Sequence, residues 1–386
     1  MNIIFITNEH YPFGMGAPKR IKLFSEFFVK KNHEVKILVS NQDNGFNLRA
    51  GKHNNVSYTT MLSDKFPRFM FYLIYPFLAF YQLISLRKNN IKNVLIIFDG
   101  INLFNLQFIL FGKLFGYKVI LDIVEDRIHS SENMSVIAKF HIWVSEIILP
   151  YFGWLIDGVV VISTTLKKKY KLLFQKIDVE LVPCSATNLD FSHKRDINNG
   201  KKIKITHAGS YGHKDGMEYL IDAFCEISKN NADVFLILLG GAKYDSLVKV
   251  IKDKVLLKNI TNIEFIDYLP DADYWQKLSE SDILCMTRID SPYANAGFPF
   301  KLGEYLATGS PVIATDVSDI SYYLKDKQDF VMAKPSDTDS LISALEYLIK
   351  HPELRRKIGI NGHNKCRKFF NPEINNQTLL GFVEKI

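Results

Sequence analysis

The chain is poor in cysteine: four in 386 residues, Cys184, Cys225, Cys285 and Cys366, with no CxxC pair among them. That spacing excludes a zinc-finger set and a disulfide framework, so a reducing compartment is the simpler expectation. A basic n-region is missing as well. Met1 to Thr7 is followed at once by Asn8, Glu9 and His10, which reads as a first β-strand and not as a signal peptide. No run reaches the ~20 apolar residues of a membrane-spanning helix. The longest uncharged stretch, Phe69 to Ser85, is shorter and holds Pro76 in its middle. An intact GxGxxG with a later acid is also absent, which disfavours a nicotinamide-dependent dehydrogenase. There is no low-complexity tract and no short repeat.

What is present is ordinary for a globular protein: 47% hydrophobic and 23% charged residues. The length suits two domains of roughly 150–200 residues. A net charge of +7 suits anionic small molecules or an anionic membrane face, without implying nucleic acid. The segment 66–88 is rich in aromatics and has basic flanks. It reads either as a buried core helix or as a helix lying in the interface of a membrane. The expected location is cytoplasmic, with that segment as the point of any peripheral contact on the inner face of the membrane.

Short β-branched runs alternate with helical stretches. Strands are expected at Ile3–Thr7, Val35–Val39, Val56–Thr60, Val94–Phe98, Val119–Asp122 and Val159–Ile162, with a helix over Pro18–Lys31. After a polar, turn-rich stretch the rhythm restarts, at Ile203–Thr206, Val234–Leu239, Ile263–Ile266, Ile283–Met286, Val312–Thr315 and Phe330–Ala333. Continuous apolar strands separated by helices predict doubly wound parallel sheets. The expected domains are residues 1–185, a linker at 186–202 and residues 203–370, followed by a terminal helix over 371–386.

Three strand–loop–helix segments suit an anion, because helix N-termini point into the crevice beyond the carboxyl ends of such strands. In ANAGFPFKLGEYLATGSPVIATD, a helix is expected from Pro299 as first residue to Thr308, with Gly309 as its stop. Lys301 in its first turn opposes the helix dipole, a poor choice for stability and a good one for binding phosphate. Glu304 can accept both hydroxyls of a ribose diol. In HAGSYGHKDGMEYLIDAF, Gly209 permits close approach of the backbone, and Lys214 precedes a helix starting near Gly216. In NEHYPFGMGAPKR, Gly14 and Gly16 would let a donor ligand come close across an interdomain cleft. Arg20 in the following helix is a candidate acceptor contact.

These segments resemble the retaining GT-B glycosyltransferases of family 4 over nearly the whole chain, most specifically in FPFKLGEYLATGSPVIATD. The resemblance implies an α/β GT-B fold: two Rossmann-like doubly wound domains facing a central cleft, the donor held by the second domain and the acceptor by the first. It also implies that the terminal helix crosses back to the first domain. A nucleotide sugar, UDP- or GDP-linked, would be the donor, a glycan or polyprenyl-linked glycan the acceptor, and no metal or cofactor would take part. By position Glu304 matches the ribose-binding second glutamate of the E-x7-E motif, and Lys214 the lysine on the donor diphosphate. The backbone at Gly297, Phe298 and Phe300 matches the loop against sugar and phosphate, beside Lys301 and Leu302. Tyr268 and Leu269 fall where the base is held. The first glutamate of the motif falls on Ala296, where Asn295 could substitute. The usual arginine falls near Ser210 and Tyr211, and Arg288 could supply its charge.

On the acceptor side, LDIVEDRIHSSE places Asp122, Glu125, Asp126 and His129 after an apolar strand. Glu125, Asp126 or His129 could serve as a base or sugar contact, or these could be ordinary loop charges. Two other functions stay open beside glycosyl transfer in polysaccharide or glycoconjugate assembly. One is a nucleotide-sugar 2-epimerase of the same fold, and the other a non-catalytic sugar-nucleotide-binding subunit.

Overall fold

The computed structural model describes residues 1–12, 14, 16–42, 50–63, 68–102, 105–130, 135–189, 202–209, 211–241 and 245–386. Ser210, residues 190–201 and residues 66 and 67 lie outside these, as do the side chains of residues 62–72. The chain divides into two compact units. Unit 1 is Met1–Pro183 with Pro372–Ile386, and unit 2 is Cys184–Asn371.

Unit 1 holds β1 (Asn2–Thr7), β2 (Glu34–Gln42), β3 (Ala50–His53), β4 (Val56–Ser63), β5 (Asn93–Phe98), β6 (Lys118–Ile123), β7 (Gly158–Val161) and β8 (Asp178–Leu181). They form one sheet in the order β3-β4-β2-β1-β5-β6-β7-β8, with only the β3–β4 pair antiparallel. Every residue of β1 and β5 is buried, which is why both read as unbroken apolar runs. The sequence missed β3 and β8. Each is an edge strand, AGKH and DVEL, covered on one side only and therefore free of the apolar run that marks a central strand.

The helix Pro372–Lys385 belongs to unit 1. Asn376 Nδ2 donates to Leu23 O at 3.1 Å, and Lys92 Nζ donates to Val383 O at 2.8 Å, placing a cation at the negative helix end. Gly158 makes room for it: a Cβ there would stand 2.2 Å from Ile386 Cδ1.

Unit 2 holds β9 (Ile203–Ala208), β10 (Val234–Leu239), β11 (Ile263–Ile266), β12 (Ile283–Met286), β13 (Val312–Thr315) and β14 (Val331–Ala333). All pairs are parallel, in the order β11-β10-β9-β12-β13-β14. The order reverses between β9 and β12, and the core beneath them is formed by Ile205, Phe224, Leu236, Ile313 and Leu345. Both units are thus Rossmann-like parallel sheets with α/β crossovers.

Segment 68–86 is helical, with Pro76 inside it. Tyr75, Ala79 and Leu83, spaced four apart, are buried, whereas Leu73, Phe77, Phe80, Tyr81 and Ile84 are exposed. A core-helix reading therefore holds for one face only. Among the described residues no helix is long and apolar enough to cross a membrane.

Candidate functional site

The site in unit 2 is built from the loops after β9 and β12, which leave the sheet side by side where its order reverses. In a doubly wound sheet the ligand crevice opens there, beyond the carboxyl ends of the strands.

Gly209, directly after β9, has φ +134°, a conformation that L side chains rarely adopt. Its amide donates to Leu239 O at 2.9 Å, and Gly240 stacks so closely that a Cβ on it would meet Gly209 O at 2.6 Å. The chain then makes a single 3-10 turn, His213–Asp215, and Gly216 (φ +61°) caps the helix Met217–Asn230. Three contacts zip this loop to the one after β12. Ile289 N donates to Lys214 O at 3.1 Å, Thr287 Oγ1 donates to Asp215 O at 2.9 Å, and a Cβ on Gly216 would sit 2.0 Å from Thr287 O. The two loops therefore form one rigid shelf carrying Lys214, Asp215 and Arg288.

The helix Phe300–Ala307 completes the shelf. Pro299 (ψ 110°) is its N-cap and not its first helical residue, and the cap offers no side-chain acceptor to the first-turn amides. One buried hydroxyl docks this helix against β9. Tyr305 OH accepts from Ala208 N at 2.7 Å and donates to Ala208 O at 2.9 Å. Lys301 is thereby brought to Asp215, Nζ to Oδ1 2.9 Å, and it lies 2.9 Å from where a Gly209 Cβ would be.

The charges are uneven. Burial pushes the Asp215 carboxyl up, but Lys301, Arg288 and His207 outweigh it and hold Asp215 well below the usual carboxylate range. One carboxylate thus faces Lys301 and the buried Arg288, whose Nε has no hydrogen-bond partner among the described residues. Lys214 Nζ donates to Tyr293 OH at 2.9 Å. A surplus of positive charge with an unsatisfied donor at a strand-end crevice suits an anion.

Glu304 is half-buried one turn beyond Lys301, and its Oε2 accepts from Tyr274 OH at 2.9 Å. Burial and the neighbouring Glu304 charge push the Tyr274 hydroxyl up, so it remains a donor. Tyr274 belongs to the helix Asp271–Ser279, directly after Tyr268 (exposed) and Leu269 (half-buried). Sequence reasoning missed Asp215, Tyr274 and Tyr305; each acts through a partner at least 30 positions away.

Other expected ligand contacts of unit 2 have partners within the fold. Leu302 is fully buried. Phe298 is buried against Phe370 and Tyr323, with ring centroids 5.5 and 5.6 Å away, so only its backbone could meet a ligand. The Asn295 amide donates to Asp290 Oδ1 at 2.8 Å and accepts from Ser318 N at 3.1 Å, so it ties loops together where a sugar contact was expected. Gly297 is buried and Phe300 half-buried at the helix start.

In unit 1, Gly14 (φ +129°) and Gly16 (φ +63°) shape the turn into helix Ala17–Lys30. Arg20 is not a surface contact. Its side chain is 3% exposed, Nη2 and Nε donate to Asp122, and Nη1 donates to Pro183 O at 3.1 Å. Asp126 is likewise committed: Oδ2 takes Lys169 Nζ at 3.1 Å, and Oδ1 takes Ile128 N at 3.2 Å. Glu125 and His129 are half-buried. The carboxylate that stands at the β1–β5 reversal is Asp99, in a left-handed turn (φ +63°) after β5. Arg127 Nε and Nη2 donate to its Oδ2 at 3.2 and 3.0 Å. Burial pushes its carboxyl up despite that pairing. Among the described residues no group of three or more His, Cys, Asp or Glu could hold a metal ion.

Comparison with known proteins now bears on this arrangement. Residues 190–365 match the family profile described as Glycosyl transferases group 1. Unit 2 carries a glycosyl transferases group 1 domain. An uncharacterized glycosyltransferase of Methanocaldococcus jannaschii is 27% identical over 161 residues, 42% of this chain and 42% of that protein. The match therefore spans about two-fifths of that relative's length. Sucrose-phosphate synthase of Thermosynechococcus elongatus superposes with a TM-score of 0.80 at 15% identity, covering 100% of this chain and 98% of the other. An Anabaena protein, HepE, solved in complex with UDP-glucose, superposes with a TM-score of 0.75 at 13% identity, covering 100% of both chains. The fold is that of GT-B glycosyltransferases, two Rossmann-like parallel-sheet α/β units. The shelf of Gly209, Lys214, Asp215, Arg288 and Lys301 lies wholly within the group 1 domain.

Proposed function

We propose that the protein transfers a sugar from a nucleoside-diphosphate sugar to a glycan or lipid-linked glycan acceptor, with retention of anomeric configuration. The observation that carries this reading is the shelf in unit 2, where Lys301, Arg288 and the Asp215 carboxylate meet at the carboxyl ends of β9 and β12, with Lys214 on the same loop and Glu304 one helical turn beyond Lys301. Lys214, Lys301 and Arg288 take the diphosphate, and Glu304, oriented by Tyr274, takes the ribose hydroxyls. Tyr268 and Leu269 flank the base. UDP-glucose is the first donor to try, because the Anabaena protein of the same fold was solved with it.

Transfer breaks the bond from the anomeric carbon to the diphosphate oxygen, whose electron pair stays on the phosphate. The acceptor oxygen bonds to the anomeric carbon and its proton leaves with the released diphosphate. Preorganised positive charge on the leaving group is then the main term, and here side chains supply it in place of a divalent cation. Asp99 and Glu125, at the strand ends of unit 1, are the acceptor-side groups this reading favours over Asp126. The exposed Leu73, Phe77, Phe80, Tyr81 and Ile84 of helix Arg68–Leu86 give the enzyme a peripheral contact with the membrane that bears its acceptor.

A thermal-shift panel of nucleoside diphosphates and nucleotide sugars tests the donor assignment, since a ligand at 100 times Kd adds about 2.7 kcal/mol. Product analysis follows with the best ligand, with and without EDTA. An epimerised donor formed in the absence of acceptor would assign an epimerase. Binding without transfer, epimerisation or hydrolysis would assign a non-catalytic subunit, as Ala296 in the first motif position suggests.

A further inference from the structure

Among the described residues, unit 1 leaves a large apolar face uncovered. Helix Arg68–Leu86 joins β4 to β5, Leu106–Leu114 joins β5 to β6, and Val136–Tyr151 lies between β6 and β7 with the turn Gly153–Leu155. Helix Thr164–Leu173 joins β7 to β8. All four connections step across the sheet in one direction, so right-handed crossovers put these helices on one face. Helix Ala17–Lys30 steps the other way and lies on the opposite face, where the C-terminal helix meets it.

The four-helix face is continuous. Phe80 meets Phe111 and Phe115 at 5.5 and 5.2 Å between ring centroids, and the turn Gly153–Leu155 packs on both helices Leu106–Leu114 and Val136–Tyr151. Lys169 on the fourth helix reaches Glu146 on the third at 3.2 Å. Across this face large side chains stand in solvent: Phe77 at 77% exposure, Tyr81 at 66%, Trp143 at 60%, Tyr151 at 75% and Trp154 at 75%. Exposed apolar surface on this scale marks an interaction site.

The charges on the same helices select the partner. Their only acidic residue is Glu146, 15% exposed and already held by Lys169. Lys139, Lys168 and, just past the first helix, Arg87 are exposed on or beside the same helices. Tryptophan and tyrosine with basic neighbours, on helices too short or too polar to span, match the headgroup layer of an anionic bilayer.

We propose that this face of unit 1 lies flat on an anionic lipid bilayer. Trp143, Trp154, Phe77 and Tyr81 enter the headgroup layer, and the exposed Lys139 and Lys168 bind lipid phosphates. The proposal deepens the lipid-linked acceptor reading above. It extends the contact from one segment, 66–88, to a surface spanning four crossover helices, and its test does not require turnover.

The test uses the full chain with vesicles of phosphatidylglycerol and phosphatidylcholine. The chain has three tryptophans, and Trp275 is 2% exposed, so a vesicle-induced change in emission reports Trp143 and Trp154. The expected results are cosedimentation at low salt with a blue-shifted emission, and loss of both at high salt or with pure phosphatidylcholine. The double variant Phe77→Ser/Trp143→Ser should bind vesicles at least about tenfold more weakly. Its melting temperature and its donor binding should equal those of the wild type, which separates failure of this proposal from failure of the donor assignment. Equal vesicle binding by wild type and double variant overturns the proposal, as does an emission unchanged by anionic vesicles. A wild-type dimer in vesicle-free buffer that the double variant converts to monomer overturns it in favour of a second copy of the chain.

Discussion

Lys301 and Asp215, 86 positions apart, form a buried ion pair of 2.9 Å in the group 1 domain, with side chains 14% and 2% exposed. The pair fixes a cation in the first turn of an uncapped helix, where the dipole alone would disfavour it. Arg288, whose Nε has no hydrogen-bond partner among the described residues, adds positive charge beside the same strand ends.

Asp215→Asn should therefore destabilise the fold by about 2–3 kcal/mol, because it leaves Lys301 buried without a counter-charge. The Asp215 carboxyl titrates lower in the folded state than its unfolded value near 3.9, so its stabilisation is complete above that pH and is lost as pH falls below it. Thermal melts between pH 6 and about 3 should show a steeper acid decline for the wild type than for Asp215→Asn. Parallel declines would contradict the pairing.

Lys214→Ala should lower kcat by about 100-fold or more, the loss expected when one donor to a developing anion is removed. Its melting temperature should change little, since the side chain is half-buried and donates to Tyr293 OH. Near-normal turnover would remove Lys214 from the diphosphate site.

Tyr274→Phe removes the hydroxyl that orients Glu304. Donor affinity should fall by about tenfold, in the range of one hydrogen bond to a charged group, with kcat at saturating donor nearly unchanged. Glu304→Gln should weaken binding of ribonucleotides more than of the 2′-deoxy analogue. Equal losses for both would mean that Glu304 does not grip the ribose.

Gly209→Ala places a Cβ at φ +134° and 2.9 Å from Lys301 Nζ. The lysine tip can move aside, but the backbone strain of about 1–3 kcal/mol stays. A lower melting temperature together with weaker donor binding is expected, read by thermal shift with and without nucleotide.

Arg20→Ala separates a positioning role from an acceptor contact. It leaves Asp122 buried without its partner and should cost about 3–5 kcal/mol. At temperatures where the variant is folded, KM for the acceptor should match the wild type. A raised acceptor KM without loss of stability would restore Arg20 to the acceptor site.

Much of the sheet architecture was legible because buried parallel strands must be apolar on both faces, as in Val234–Leu239 and Ile283–Met286, which the structure reproduces residue for residue. The edge strands Ala50–His53 and Asp178–Leu181 were not, because one-sided cover demands no such run. Glu304, Lys301, Lys214 and Gly209 could be picked out one by one from local chemistry: a glycine after a strand, a lysine against a dipole, a carboxylate in the next turn. Arg20 and Asp126 were picked out in the same way, and the structure pairs both. A loop charge and a buried, paired charge look alike until their partners, Asp122 and Lys169, are seen.

The amino-acid sequence by itself determined the two runs of apolar strands, the glycines that turn the chain after them, and the residue types able to meet a nucleotide. Those follow from spacings of a few residues. Only the tertiary structure decided that Asp215 neutralises Lys301, that Tyr305 pins its helix to β9, that Tyr274 aims Glu304, and that four crossover helices share one exposed apolar face. Each of these depends on which strands lie side by side. That order arises from packing between segments far apart in the chain, to which no local pattern is sensitive.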